Sequence, residues 1–177
     1  MLELTGAGVP LFASAITGAF TILGAVVASL FSARAARAER ASQAQQRQTD
    51  LRLAKLEETY LLFEKWEMAY ANVYLAFTRC YYGKLTAQQA MDLTKQSEVL
   101  LPGEYQRLMM LINIHFPTLA ADRASVEQAR ARITPFLDDP GKSGKSVSEF
   151  EQRKREFETV CREFKGKIAA HADRLSA

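Results

Sequence analysis

No acidic or basic side chain interrupts the chain between residues 4 and 33, and Arg34, Arg37 and Arg40 follow at once. Few folds accommodate such a run. Its centre, residues 9–31, matches the roughly 20 residues that a helix needs to cross the hydrocarbon core of a bilayer. The run therefore reads as a transmembrane helix, residues 1–33 with its flanks. The alternative is a buried helix in a soluble protein, but such helices rarely extend this far without a charge.

Flanking charge gives the orientation. Glu3 is the sole charged side chain before Arg34, whereas Arg34, Arg37, Arg40 and Arg47 follow the run against Glu39 and Asp50. The positive-inside rule places the C-terminal side in the cytoplasm and the short N-terminus outside, as in a single-pass protein of the inner (plasma) membrane. A cleaved signal peptide would carry a basic region ahead of a shorter apolar run, and residues 1–6 have none.

Placed at 100° steps, the run has two sides. Phe12, Ile16, Phe20, Leu23, Val27 and Leu30 form a bulky one. Ser14, Thr17, Gly18, Thr21, Gly24, Ala25, Ala28 and Ser29 form a small one. Small residues let helix backbones approach closely, and hydroxyls bond across the contact. The expectation is self-association into a homo-oligomer, or packing on a partner helix. In a ring of copies the Ser/Thr side would line a polar path. With no ionisable group inside the run, a proton relay or charged filter is not expected.

Residues 34–49 are rich in Ala, Arg and Gln, with high helix propensity and no apolar stripe to bury. They read as an exposed helical stalk whose arginines, Arg34, Arg37, Arg40 and Arg47, form a basic collar at the lipid head groups. The collar is equally explained as a topology signal alone.

Residues 50–177 carry helical periodicity and no strand pattern. Leu53, Leu56, Tyr60, Phe63, Tyr70, Val73, Phe77 and Tyr81 mark a central helix over 50–82 that ends at Gly83. Thr86 and Gln89 form a capping box for a helix to about residue 100. Pro102 suits the first turn of a helix to His115, which Pro117 terminates. Another helix spans 118–137, kinked or ended by Pro135. Residues 138–146 read as a loop, and Ser146 with Glu149, or Ser148 with Glu151, caps the last helix towards Leu175. The fold class is all-α: one transmembrane helix, a stalk, and a cytoplasmic antiparallel bundle of four to five helices.

The chemistry is sparse. Gly144-Lys145-Ser146 lacks the upstream glycine and the strand that a phosphate loop requires. Cys80, Cys161, His115 and His171 form no close-spaced pair, so no metal or other cofactor is expected. The two thiols read as free and buried, and His115 as a helix-terminal or core residue. No nucleophile-base set or catalytic motif occurs, so an enzyme is not expected. The net charge of +3 gives no reason to expect direct DNA or RNA readout.

Three functions remain. The first is a membrane effector or pore-type assembly, of a stress or phage-defence kind, controlled by the cytoplasmic bundle. The second is a membrane-anchored scaffold or adaptor for a cytoplasmic protein partner. In the third the bundle senses an anionic nucleotide ligand through Arg123, Arg130, Arg132, Lys142 and Lys145. The plan of anchor, stalk and helical domain is shared with many small bacterial membrane proteins, an analogy of architecture alone.

Overall fold

A computed structural model describes the backbone of residues 8–95 and 99–176, and the side chains of residues 29, 32, 34–95 and 99–175. All regular structure among them is helical: α1 (Gly8–Tyr81), α2 (Ala87–Lys95), α3 (Glu104–Met110), α4 (Leu119–Ile133), α5 (Pro140–Ser143) and α6 (Val147–Ser176). A π-helical turn, Leu111–His115, follows α3, and a 3₁₀ turn, Thr134–Phe136, follows α4. The chain divides into two compact units, residues 1–48 and 49–177.

In the first unit the helical backbone of α1 is unbroken from Gly8. Side chains from Arg34 to Gln48 are exposed, apart from the half-buried Ala36. This agrees with a segment that has no apolar stripe. Ser32 Oγ donates to the Ser29 carbonyl at 2.9 Å, and Gln43 reaches Glu39 at 3.4 Å. Among the described residues no helix is long and apolar enough to cross a membrane. The run at 4–33, where the sequence places the span, lies outside the described side chains except at Ser29 and Ser32.

The second unit is built around an aromatic core. Phe63, Phe77, Phe150, Phe157, Phe164 and Tyr74 are buried almost completely, and Trp66 is 4% exposed. Ring contacts give the direction of the helices. Phe63 meets Phe164 at 4.7 Å, Tyr74 meets Phe157 at 5.3 Å, and Tyr81 meets Phe150 at 4.9 Å. Numbers rise along α1 as they fall along α6, so the two helices are antiparallel. Contacts from Asp122 to Lys167 and from Phe136 to Phe150 make the α4 side antiparallel to α6 as well. Each fully buried phenyl ring contributes about 2–3 kcal/mol of apolar burial, which makes this core the main source of stability.

Local signals place the ends. Gly83, at φ 69°, ends α1: Lys84 N–H donates to the Arg79 carbonyl at 2.8 Å and Gly83 N–H to that of Cys80 at 2.9 Å. This is the paired closure that favours glycine in the left-handed region. Thr86 and Gln89 exchange reciprocal bonds at 2.9 and 3.1 Å, and Ser146 and Glu149 do the same at 3.1 and 3.2 Å. Of the two possible caps for α6, the Ser146 box is the one formed. Pro135 has no N–H to continue an α-helix, and α4 gives way to the 3₁₀ turn there.

Among the described residues the bundle has the second half of α1, the long α4 and α6, and the short α2, α3 and α5 between them. The α2 helix is described to Lys95, and residues 96–98 lie outside the described residues. Two expectations need correction. The α3 helix begins at Glu104, not Pro102, because Gly103 takes φ 89° and Glu104 accepts the Leu101 N–H at 2.9 Å. Residues 138–146 are not wholly loop. Asp139 accepts the Gly141 N–H at 3.0 Å, and Pro140 occupies the first position of α5, where its missing N–H costs nothing.

Candidate functional site

Cysteine and histidine chemistry comes first. Cys80 and Cys161 are free and buried, and burial pushes both thiols up from their ordinary value. They are therefore poor nucleophiles. His115 is exposed and accepts from Lys55 Nζ at 3.2 Å. His171 is half-buried, edge-on to Phe116 at 5.5 Å, and accepts from Arg174 through Nδ1 at 3.1 Å. Both lie edge-on to Phe116, but their hydrogen bonds go to different cations, Lys55 and Arg174. Among the described residues no group of three or more His, Cys, Asp or Glu is placed to hold a metal ion.

The five cations expected to meet an anionic ligand are placed differently from one another. Arg123 and Arg130 both bind Glu127, at 3.1 and 2.8 Å. Tyr105 donates to the same carboxylate at 3.2 Å, and Arg130 lies 5.4 Å over the ring of Tyr70. This cluster ties α4 to α3 and α1. Its charges are committed to one another, so it fastens the bundle and offers no open cation. Arg123 Nε and the Tyr74 hydroxyl are buried there without a hydrogen-bond partner, and burial pushes the Tyr74 hydroxyl up.

Lys145 caps the Pro135 carbonyl and sits 5.0 Å over the Phe136 ring, which fixes the loop before α6. Lys142 stands 3.9 Å from Asp139 and is almost fully exposed. Arg132 lines a groove of about 540 Å³ between α4 and α6. Arg155, Gln152 and Thr159 face it from α6, and Ser125 and Gln128 from α4. Sequence reading missed this site because the α6 charges resemble an ordinary water-facing helix. The available signal was a polar set at matching three- and four-residue steps on both helices.

A second groove, of about 350 Å³, is apolar. Leu53, Leu56, Tyr60 and Leu61 of α1 face Ile168 and Ala172 of α6. Leu61 begins an exposed series that continues through Met68 and Leu75 on α1 to Tyr82 just past its end, at seven-residue steps.

Of the collar residues, Arg34, Arg37, Arg40 and Arg47 are exposed and make no ion pair among the described residues. Of the small face, Ser29 is described and exposed; the side chains of Ser14, Thr17, Gly18, Thr21, Gly24, Ala25 and Ala28 lie outside the described residues. No family model, curated protein or solved structure matches the chain.

Proposed function

We propose that this chain is a single-pass membrane protein that assembles through its uncharged helix under the control of its helical bundle. Residues 4–33 cross the inner membrane, the arginine collar meets the cytoplasmic head groups, and the bundle lies in the cytoplasm. Copies pack through Ser14, Gly18, Thr21 and Ala25, and a rearranged assembly breaches the bilayer in the manner of an effector or pore.

One observation carries this reading: an uncharged run of membrane-spanning length, small on one side and bulky on the other, closed by Arg34, Arg37 and Arg40. One further feature supports it. The collar arginines make no ion pair among the described residues, which leaves them available to lipid phosphates.

The test replaces Gly18 and Ala25 with Leu in the full chain. The protein should still float with liposomes, but its oligomer in nanodiscs should dissociate and ion leakage should cease. Recovery in the soluble fraction would refute the span. Unchanged leakage would refute assembly through this face.

The apolar groove and the exposed Leu61, Met68, Leu75 and Tyr82 series favour a second reading, an anchored adaptor whose bundle binds a protein partner. Exchange of residues 4–33 for an unrelated single-pass helix separates the two. Activity survives the exchange in the adaptor and is lost in the assembly.

A further inference from the structure

We infer that the crease between α4 and α6 is a binding site for a small phosphorylated polyol, of the size and chemistry of a sugar phosphate. The helices are antiparallel, and each turns one polar face to the crease. On α4 that face is Ser125, Gln128 and Arg132; on α6 it is Gln152, Arg155 and Thr159. Both sets follow the same i, i+3, i+7 spacing, which aligns side chains along one helix face. Small or branched apolar residues, Ala129 and Val160, form the floor. The space, about 540 Å³, lies within the roughly 300–1,000 Å³ of ligand pockets.

The polar groups here are largely uncommitted. Ser125, Gln128, Arg132 and Thr159 make no hydrogen bond or ion pair among the described residues. Arg155 is held loosely, 3.8 Å from Glu151. The carboxylate of the crease, Glu156, already accepts from Arg153 at 2.8 Å and Gln152 at 3.2 Å. Arg132 acts on Glu156 through space and Arg155 has its long contact to Glu151, so neither guanidinium is held by a close hydrogen bond and both can turn to an incoming phosphate.

Guanidinium groups from two helices can grip one phosphate with paired donors. Amides and hydroxyls both donate and accept, which is what a row of sugar hydroxyls requires. No aromatic ring lines the crease, so a nucleobase would find no face to stack on. The chemistry thus favours a sugar phosphate over a nucleotide.

This inference goes beyond the membrane reading and does not depend on it, because binding is measured directly. The full chain in detergent is titrated calorimetrically with ribose 5-phosphate, ribose and AMP. Ribose 5-phosphate should bind, ribose should not, and AMP should gain less than about threefold from its base. Arg132→Gln and Arg155→Gln should each weaken binding about tenfold or more. Lys142→Gln, an equal loss of charge outside the crease, should leave it unchanged. Arg132 and Arg155 are exposed, and circular dichroism checks that both variants keep their helix content. The site is overturned if ribose 5-phosphate gives no heat at millimolar concentration, or if Lys142→Gln weakens it as much as Arg132→Gln. AMP binding more than about tenfold tighter than ribose 5-phosphate would overturn the ligand class.

Discussion

Replacing Glu127 with Gln tests what fastens the bundle. Its carboxylate accepts from Arg123 Nη1 at 3.1 Å, Arg130 Nε at 2.8 Å and Tyr105 at 3.2 Å. Arg130 in turn reaches the Tyr70 hydroxyl at 3.3 Å, so one side chain on α4 gathers groups from α3 and α1. Gln keeps the volume, removes the charge and turns an NH₂ donor towards guanidinium donors. A hydrogen bond to a charged group contributes about 1.5–3 kcal/mol, and breaking a fully buried pair costs about 3–5 kcal/mol. The Glu127 side chain is 24% exposed, so solvent recovers part of that loss, and a cost of about 2–3 kcal/mol is expected. Asp122→Asn is the comparison. Asp122 lies 2.6 Å from Lys167, but the two side chains are 31% and 53% exposed, and pairs of that kind contribute about 0–1 kcal/mol. Denaturant unfolding of the full chain in detergent, followed by fluorescence, reads the difference. The chain has one tryptophan, and Trp66 is buried against Phe63 at 5.5 Å, so the signal reports on the bundle core. If Glu127→Gln costs no more than Asp122→Asn, the cluster does not fasten the bundle.

Two further outcomes follow from burial. Burial, and then the neighbouring Arg174 guanidinium, hold His171 below the ordinary histidine range. The unfolded chain therefore binds a proton more readily. The stability His171 contributes is complete above about pH 6.5 and is lost as pH falls through the lower folded value. The Trp66 unfolding midpoint of His171→Gln should thus fall less between about pH 7 and pH 5 than that of the parent; parallel curves would refute the reasoning. For the thiols, Cys161 has no exposed surface and Cys80 is 7% exposed. Iodoacetamide should label both only at the rate of unfolding, as read by mass spectrometry, and rapid labelling of Cys161 in native buffer would contradict its burial.

The ends of helices were legible wherever a short-range pattern determined them. Thr86 with Gln89, Ser146 with Glu149, Gly83 and Pro135 each act within a few residues, and each marks the boundary it indicates. The late start of α3 depended on Gly103 in the left-handed region and on a Lys65–Glu104 contact at 2.6 Å across 39 positions. The Asp139-Pro140 start of α5 was present in the sequence, but it was submerged in a stretch whose Gly, Pro and Ser content reads as loop.

The cations illustrate the same division at the level of sites. Composition alone makes Arg123, Arg130, Arg132 and Lys142 look equivalent, and their neighbours separate them. Glu127 lies four residues after Arg123 and three before Arg130, and Asp139 lies three before Lys142. At the three- and four-residue steps around Arg132 the chain has Gln128, Ala129, Pro135 and Phe136, and no carboxylate. Helix geometry lets a side chain meet others at just those steps, so Arg132 is left without a local counter-charge while the other three have one. Arg34, Arg37 and Arg40 meet the same condition: no Asp or Glu lies three or four residues from any of them. Arg52, Arg79 and Lys84 meet it too, so the rule marks cations without a local counter-charge and does not by itself choose a binding site. What it cannot supply is the pairing of α4 with α6, which sets Arg132 and Arg155 along one groove.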